Sequence, residues 1–196
     1  MTLVYCRDGK YNLDCVTVFK FLKNTIFEPL NLSGFLLIMK YRQLTKEQFS
    51  ALHKEFAKFL ATQQIDVKEW EQIKAEKPKM AEEELNIFSD LVWEDVLTKV
   101  AYLDHISSNH MNLFKCSSKE IIRILIKWND KNKSFLKESD FEWFQKNALD
   151  DSFEYFKAIK TYSNERNIEL FDLIEKGSVI SKGELFSVIS PLIGQQ

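Results

Sequence analysis

An α+β fold, with an N-terminal helical layer of three helices packed on a mostly antiparallel sheet and further C-terminal helices, follows from three features of the chain. Capped segments with apolar residues at helical spacing run from Thr45 to Leu97. Apolar and polar residues then alternate between 101 and 128. The joints in that alternating stretch, Ser107-Ser108 and Ser117-Ser118, are too short for the crossover that parallel strands need, so the strands pair antiparallel.

The first helix opens at Thr45, which forms a capping box with Gln48, while Leu44 and Phe49 fit a hydrophobic staple around it. Phe49, Leu52, Phe56, Phe59 and Leu60 recur at helical spacing and carry one helix to about Thr62. The grammar repeats at Asp66 and Glu69, with Ile65 and Trp70 as the second staple. That helix stops by Pro78, because the residue before a proline is pushed out of helical geometry. A third helix starts near Pro78, with Glu82, Glu83 and Glu84 in its opening turns, where the macrodipole favours negative charge. Its apolar residues between Leu85 and Leu97 are too widely spread for a surface helix, which predicts a central helix touched on more than one side. Glu83, Asp90 and Glu94 form its consistently polar face.

Ile122, Ile124, Ile126 and Trp128 alternate with Arg123, Leu125 and Lys127, a strand with one buried face. Residues 109–116 and 101–106 read as two more strands, and 129–134 as a polar loop. Ser139 and Glu142 cap a short helix through Phe141, Trp143 and Phe144. Residues 153–162 fit helix or strand, and the run Phe156, Ala158, Ile159, Thr161, Tyr162 favours strand. Ser163 caps a further helix that Gly177 ends. Val179-Ile180 and Leu185-Phe186 around Ser181-Lys182-Gly183 predict a hairpin. With no repeat or linker in between, residues 39–196 are expected to be a single α+β domain.

Residues 1–38 differ from the rest of the chain: they carry neither a clear period nor caps. Lys20, Lys23 and Glu28 break any signal-peptide core. Two readings stand: a non-domain extension or added element, and an overextended start with Met39 as the true first residue. The second is favoured, because Met39-Lys40-Tyr41-Arg42 leads straight into the first marked helix.

Apolar residues make up 45 % of the 196, with 16 Phe among them, so a core can form without disulfides or structural metal. A net charge of −2 provides no global attraction to nucleic acid or anionic membrane, and neither is expected as a partner. Cys6, Cys15 and Cys116 are an odd, scattered set rather than a disulfide framework, which points to a reducing, cytoplasmic setting.

No constellation names a reaction. His105, His110 and Cys116 fall on two predicted strands and lack the convergent fourth ligand of a zinc site, so no metal and no cofactor is expected. Nothing beside Cys116 would activate its thiol. Lys127, Lys131, Lys133 and Lys137 gather near Trp128 and could meet RNA, although a solvated loop fits them better.

Two surfaces remain as candidates. Asp90 and Glu94, four apart on one helix face beside Trp93 and in line with Glu83, form a candidate acidic contact surface for a protein partner; the plainer alternative is a solvated acidic face beside a core tryptophan. Ser163, Asn164 and Arg166 lie at a strand-to-helix junction, where free amides and a guanidinium would hold a phosphate or carboxylate; the plainer alternative is an ordinary Ser cap.

Met39-Lys-Tyr-Arg-Gln-Leu-Thr-Lys-Glu-Gln-Phe49, Glu55-Phe-Ala-Lys-Phe-Leu-Ala-Thr-Gln63, Glu82-Glu-Glu-Leu-Asn-Ile-Phe-Ser-Asp-Leu-Val-Trp-Glu-Asp-Val-Leu97 and Tyr162-Ser-Asn-Glu-Arg-Asn167 carry a resemblance. Over most of 39–196, and nowhere in 1–38, the chain resembles an uncharacterised family of small proteins from flavobacteria and related Bacteroidota, a domain of unknown function. The resemblance implies a bacterial cytoplasmic setting and carries over no catalytic residue. The expectation is a non-enzymatic protein-binding or adaptor domain, with an enzyme or ligand-binding protein for an anionic group as the alternative.

Overall fold

The structure, a computed structural model, describes residues 39–194. They belong to two compact units, 39–99 and 100–194. The expectation for residues 1–38, Cys6 and Cys15 included, lies outside the described residues. Seven α-helices and a five-stranded antiparallel sheet are present among the described residues, an α+β fold.

The first unit is helical: α1 (Lys46–Ala51), α2 (His53–Thr62), α3 (Val67–Glu76) and α4 (Pro78–Lys99). The Thr45 box forms in full, with Thr45 Oγ1 accepting from Gln48 N at 3.3 Å and Gln48 Oε1 accepting from Thr45 N at 2.8 Å. The predicted first helix breaks at Leu52, whose φ of −101° and ψ of 19° leave the helical basin, so four helices stand where three were expected. Leu52 carries no local breaker signal; the packing of a cluster of rings accompanies the break. Phe49 meets Phe56 edge-on at 5.8 Å, and Phe56 meets Phe88 of α4 at 5.1 Å and Trp70 of α3 at 5.3 Å. Such ring pairs contribute about 0.5–1.5 kcal/mol each beyond the area they bury. Asp66 caps α3 through Glu69 N at 2.8 Å, and the helix ends before Pro78 as expected. Glu82 to Glu84 sit beyond the first turn of α4, which holds no acidic residue, so they lie past the reach of the macrodipole. The buried side of α4 includes Phe88, Val92, Trp93, Val96 and Leu97.

The second unit holds the sheet, in the order β4-β3-β2-β1-β5. Its strands are β1 (Tyr102–Ile106), β2 (His110–Cys116), β3 (Glu120–Trp128), β4 (Phe153–Thr161) and β5 (Val179–Ser181). The first three form the expected meander, and 153–161 is strand rather than helix. Met111, Leu113, Ile124, Ile126, Trp128 and Phe153 share one face and pack with Phe135, with Phe141 and Phe144 of α5 (Glu138–Lys146), and with Phe186 and Ile189 of α7 (Glu184–Ile189). The opposite face carries His110, Asn112, Arg123, Lys127 and Phe156. A slip of one residue would exchange the two sets, so the apolar alternation sets the register.

Three local predictions need correction. Ser139 lies inside α5, whose cap position is Lys137. The helix α6 (Arg166–Glu175) starts with Glu165 in the cap position, not Ser163. Val179–Ser181 does not turn back on 185–186; it pairs with β1, and the chain enters α7 at once. Gly183 makes that entry with φ +75°, so close to Tyr102 that a Cβ would lie 2.5 Å from its ring. A hairpin reading takes the same glycine for a turn residue. Gly177, at φ +95°, does end α6 as expected: Gly177 N bonds Ile174 O at 2.9 Å and Ser178 N bonds Leu173 O at 3.0 Å, a Schellman pair.

Candidate functional site

The acidic residues of α4 hold the chain that precedes α1. Asp90 accepts from the amides of Lys40 at 2.7 Å and Tyr41 at 2.9 Å, one per carboxylate oxygen. Glu94 accepts from the Tyr41 hydroxyl at 2.6 Å and the Lys40 ammonium at 3.1 Å. Burial, then the neighbouring Glu94 carboxylate, pushes the Tyr41 phenol above its ordinary pKa. Trp93 is 2 % exposed, and its indole N–H donates to Arg42 O at 3.0 Å. It is a core side chain rather than a ring offered to a partner. Of the other three residues expected to form a contact surface, Glu83 is exposed and Asp90 and Glu94 are half-buried.

A parallel arrangement occurs at α6. Glu169 Oε1 accepts from the amides of Ser163 and Asn164, the latter at 2.8 Å, and Oε2 accepts from Lys160 Nζ at 2.9 Å. The Asn164 amide and then Lys160 hold this carboxyl below its ordinary pKa. The amides expected to bind an anion therefore hold one that the chain itself supplies. Arg166 bonds carbonyls at the strand ends: Ser117 O through Nε at 2.9 Å and Val100 O through Nη2.

His105 on β1 and His110 on β2 stack with ring centroids 5.9 Å apart, and Asn112 joins His105 to Arg123, which donates to Asn112 Oδ1 from Nε at 2.8 Å. Burial, then the charges of His105, Arg123 and Lys127, lowers the His110 pKa. Burial pushes the Cys116 thiol up to about 12, so it stays protonated and unreactive at neutral pH. Among the described residues no three His, Cys, Asp or Glu converge in a way that could hold a metal ion. The lysine loop is also divided: Lys133 pairs with Asp140 at 2.9 Å, and Trp128 is buried against Phe135 and Phe153.

Among the described residues, strand β4 presents an exposed outer edge that sequence reasoning does not single out. It is the outer strand, and all its residues from 156 to 161 are exposed, Phe156 at 47 % and Ile159 at 60 %. Its backbone orientation follows from its neighbours. Trp128 N bonds Asn109 O on the β2 side, whereas Asn129 N bonds Ser152 O on the β4 side. Odd positions of β3 therefore address β4. The register Lys127↔Glu154 then turns the even positions of β4 inward and leaves Lys157, Ile159 and Thr161 with amides and carbonyls directed away from the sheet. Phe156 lies under the Lys127 ammonium, 4.9 Å from the ring centroid, on one face. Ile159 lies opposite Ile122 on the other. A sequence signal exists: a half-buried strand keeps its apolar residues on one face, and Phe-Lys-Ala-Ile puts them on both.

Among the described residues no helix is long and apolar enough to cross a membrane. No curated protein and no solved structure matches the chain. A family model described as a family of unknown function (DUF6495) matches residues 39–194, the residues that the structure describes, and the chain belongs to that family.

Proposed function

We propose that this chain is a non-enzymatic protein-binding or adaptor domain of the cytoplasm of flavobacteria and related Bacteroidota, and that it receives its partner along β4. One observation supports the reading above the others: β4, nine residues long and outermost among the described strands, carries exposed apolar side chains on both faces, and among the described residues the outward donors and acceptors of Lys157, Ile159 and Thr161 meet no further strand. Such edges are templates for added strands, and folded proteins cover or shorten those they do not use. The two surfaces first suggested by the sequence serve the reading less well, because Asp90, Glu94 and the amides of Ser163 and Asn164 already bond within the chain.

Retention of proteins from native lysate by the full chain tests this, with wild type compared against Phe156→Ser/Ile159→Ser. Both side chains are exposed, so the variant should unfold within about 1 kcal/mol of wild type. A nuclease-resistant partner held by wild type and lost by the variant is the expected result. The same proteins on both resins would remove β4 from the reading.

A further inference from the structure

We infer that the occupant of β4 is an extended peptide segment with acidic side chains, which adds to the sheet as a sixth strand. The inference rests on the reading of β4 as the docking edge and specifies what docks there.

The strand Phe-Glu-Tyr-Phe-Lys-Ala-Ile-Lys-Thr has Lys157 and Lys160 in its exposed half and one acid, Glu154, near its start. Arg123 and Lys127 stand on β3 directly opposite Ala158 and Glu154. Glu154 accepts from Asn129 at 2.9 Å, and Lys160 is shared with Glu169. Glu120 stands on β3 opposite Thr161, at the end of the edge, so the positive charge lies at its middle, around Lys157. Lysines on an edge strand discourage pairing with an identical strand, since a second copy brings the same cations to the same line. They favour a strand of opposite charge.

The pattern also specifies the order of side chains. A strand laid antiparallel on β4 places one residue against each of Lys160, Ile159, Ala158, Lys157 and Phe156 in turn. Acidic residues suit the two lysines. A β-branched residue suits Ile159, whose neighbour Ile122 is half-buried on the same face, and an aliphatic one suits Phe156. The matching core is Glu-Val-Thr-Glu-Leu. Backbone bonds to Lys157, Ile159 and Thr161 supply affinity, and the alternate side chains supply selectivity.

The test uses the full chain and two synthetic peptides, threonine-flanked Glu-Val-Thr-Glu-Leu and the same peptide with both Glu replaced by Lys. Amide hydrogen exchange is the first readout, because strand addition protects the outward amides of 157, 159 and 161 while 156, 158 and 160 are already bonded to β3. The acidic peptide should protect the outward set. Two reversed cross-strand charge pairs should weaken the lysine peptide about tenfold. Added salt should narrow that gap, and Lys157→Glu should shrink or invert it.

Equal protection by both peptides would overturn the acidic partner and leave β4 as a docking edge. No protection of the outward amides by either peptide would overturn the edge itself. Concentration-dependent dimerisation that protects the same amides without peptide would assign the edge to a second copy.

Discussion

β5 ends the sheet on one side with three half-buried residues, and the chain leaves it at once through Gly183 into α7. β4 ends the other side with nine residues, seven of them exposed. Among the described residues both edges meet no further strand, and they avoid indiscriminate pairing by different means. The β5 edge is short and bent away. The β4 edge is long, with lysines as its guard. Brevity prevents pairing with anything, whereas charge prevents it with some partners and invites others. That contrast is why the binding reading attaches to β4, and it predicts that substitutions near β5 affect stability while those on β4 affect association.

The largest effect should come from Gly183→Ala. A Cβ there would lie 2.5 Å from the Tyr102 ring, at a φ of +75° that side-chain-bearing residues rarely adopt. The expected loss is about 3 kcal/mol in urea unfolding. A loss no greater than that of an exposed β4 substitution would remove the distinction between the edges.

Asp104, on β1 against Val179 of β5, should come next, with the opposite sign. It is 8 % exposed, its Oδ1 has no partner, and burial raises its pKa from 3.8 to about 6, partly opposed by the Ser181 hydroxyl. The folded protein therefore binds this proton more tightly than the unfolded chain. Its stabilising effect is full below the unfolded value and is lost as pH rises through about 6. Asp104→Asn should raise stability at pH 7.5 by about 2 kcal/mol and change little near pH 4. A less stable variant at pH 7.5 would mean that the ionised carboxylate is favourably held.

The smallest of the three effects should be at Glu169, which ties the residues after β4 to α6. Its pKa is lowered, so its contribution is present above the unfolded value and fades as pH falls through the folded one. Glu169→Gln keeps one acceptor and loses the charge, which should cost about 1 kcal/mol at neutral pH and less in acid. Faster amide exchange at Ser163 and Asn164 would accompany it; unchanged exchange there would show that the carboxylate does not hold them.

Glu169 and Asp90 also mark where sequence reasoning reached its limit. Each is a carboxylate on a helix that catches two successive amides of an irregular segment, Ser163-Asn164 in one unit and Lys40-Tyr41 in the other. Both places stand out in the sequence, one as an acidic face and the other as free amides. Composition shows that a group can bond, not that its partner is already present. For Asp90 that partner is about fifty residues away. Trp93 shows the same limit: an aromatic beside two acids fits an interface anchor or a core ring, and its burial with the indole N–H on Arg42 O makes it a core ring.

What the amino-acid sequence determined by itself was local. The Thr45 box, the Asp66 cap, the stop before Pro78, the Gly177 terminus and the β1–β2–β3 meander all depend on residues within a turn, a face or a short joint of one another. Tertiary structure decided the rest. It broke the first helix at Leu52 among packed rings, moved β5 from a hairpin to the edge beside β1, and joined Glu169 and Asp90 to their amides. It also left β4 outermost among the described strands, with Phe156 exposed on one face and Ile159 on the other. Those outcomes depend on which distant groups meet, and a linear pattern records the capacity of each group without recording the encounter.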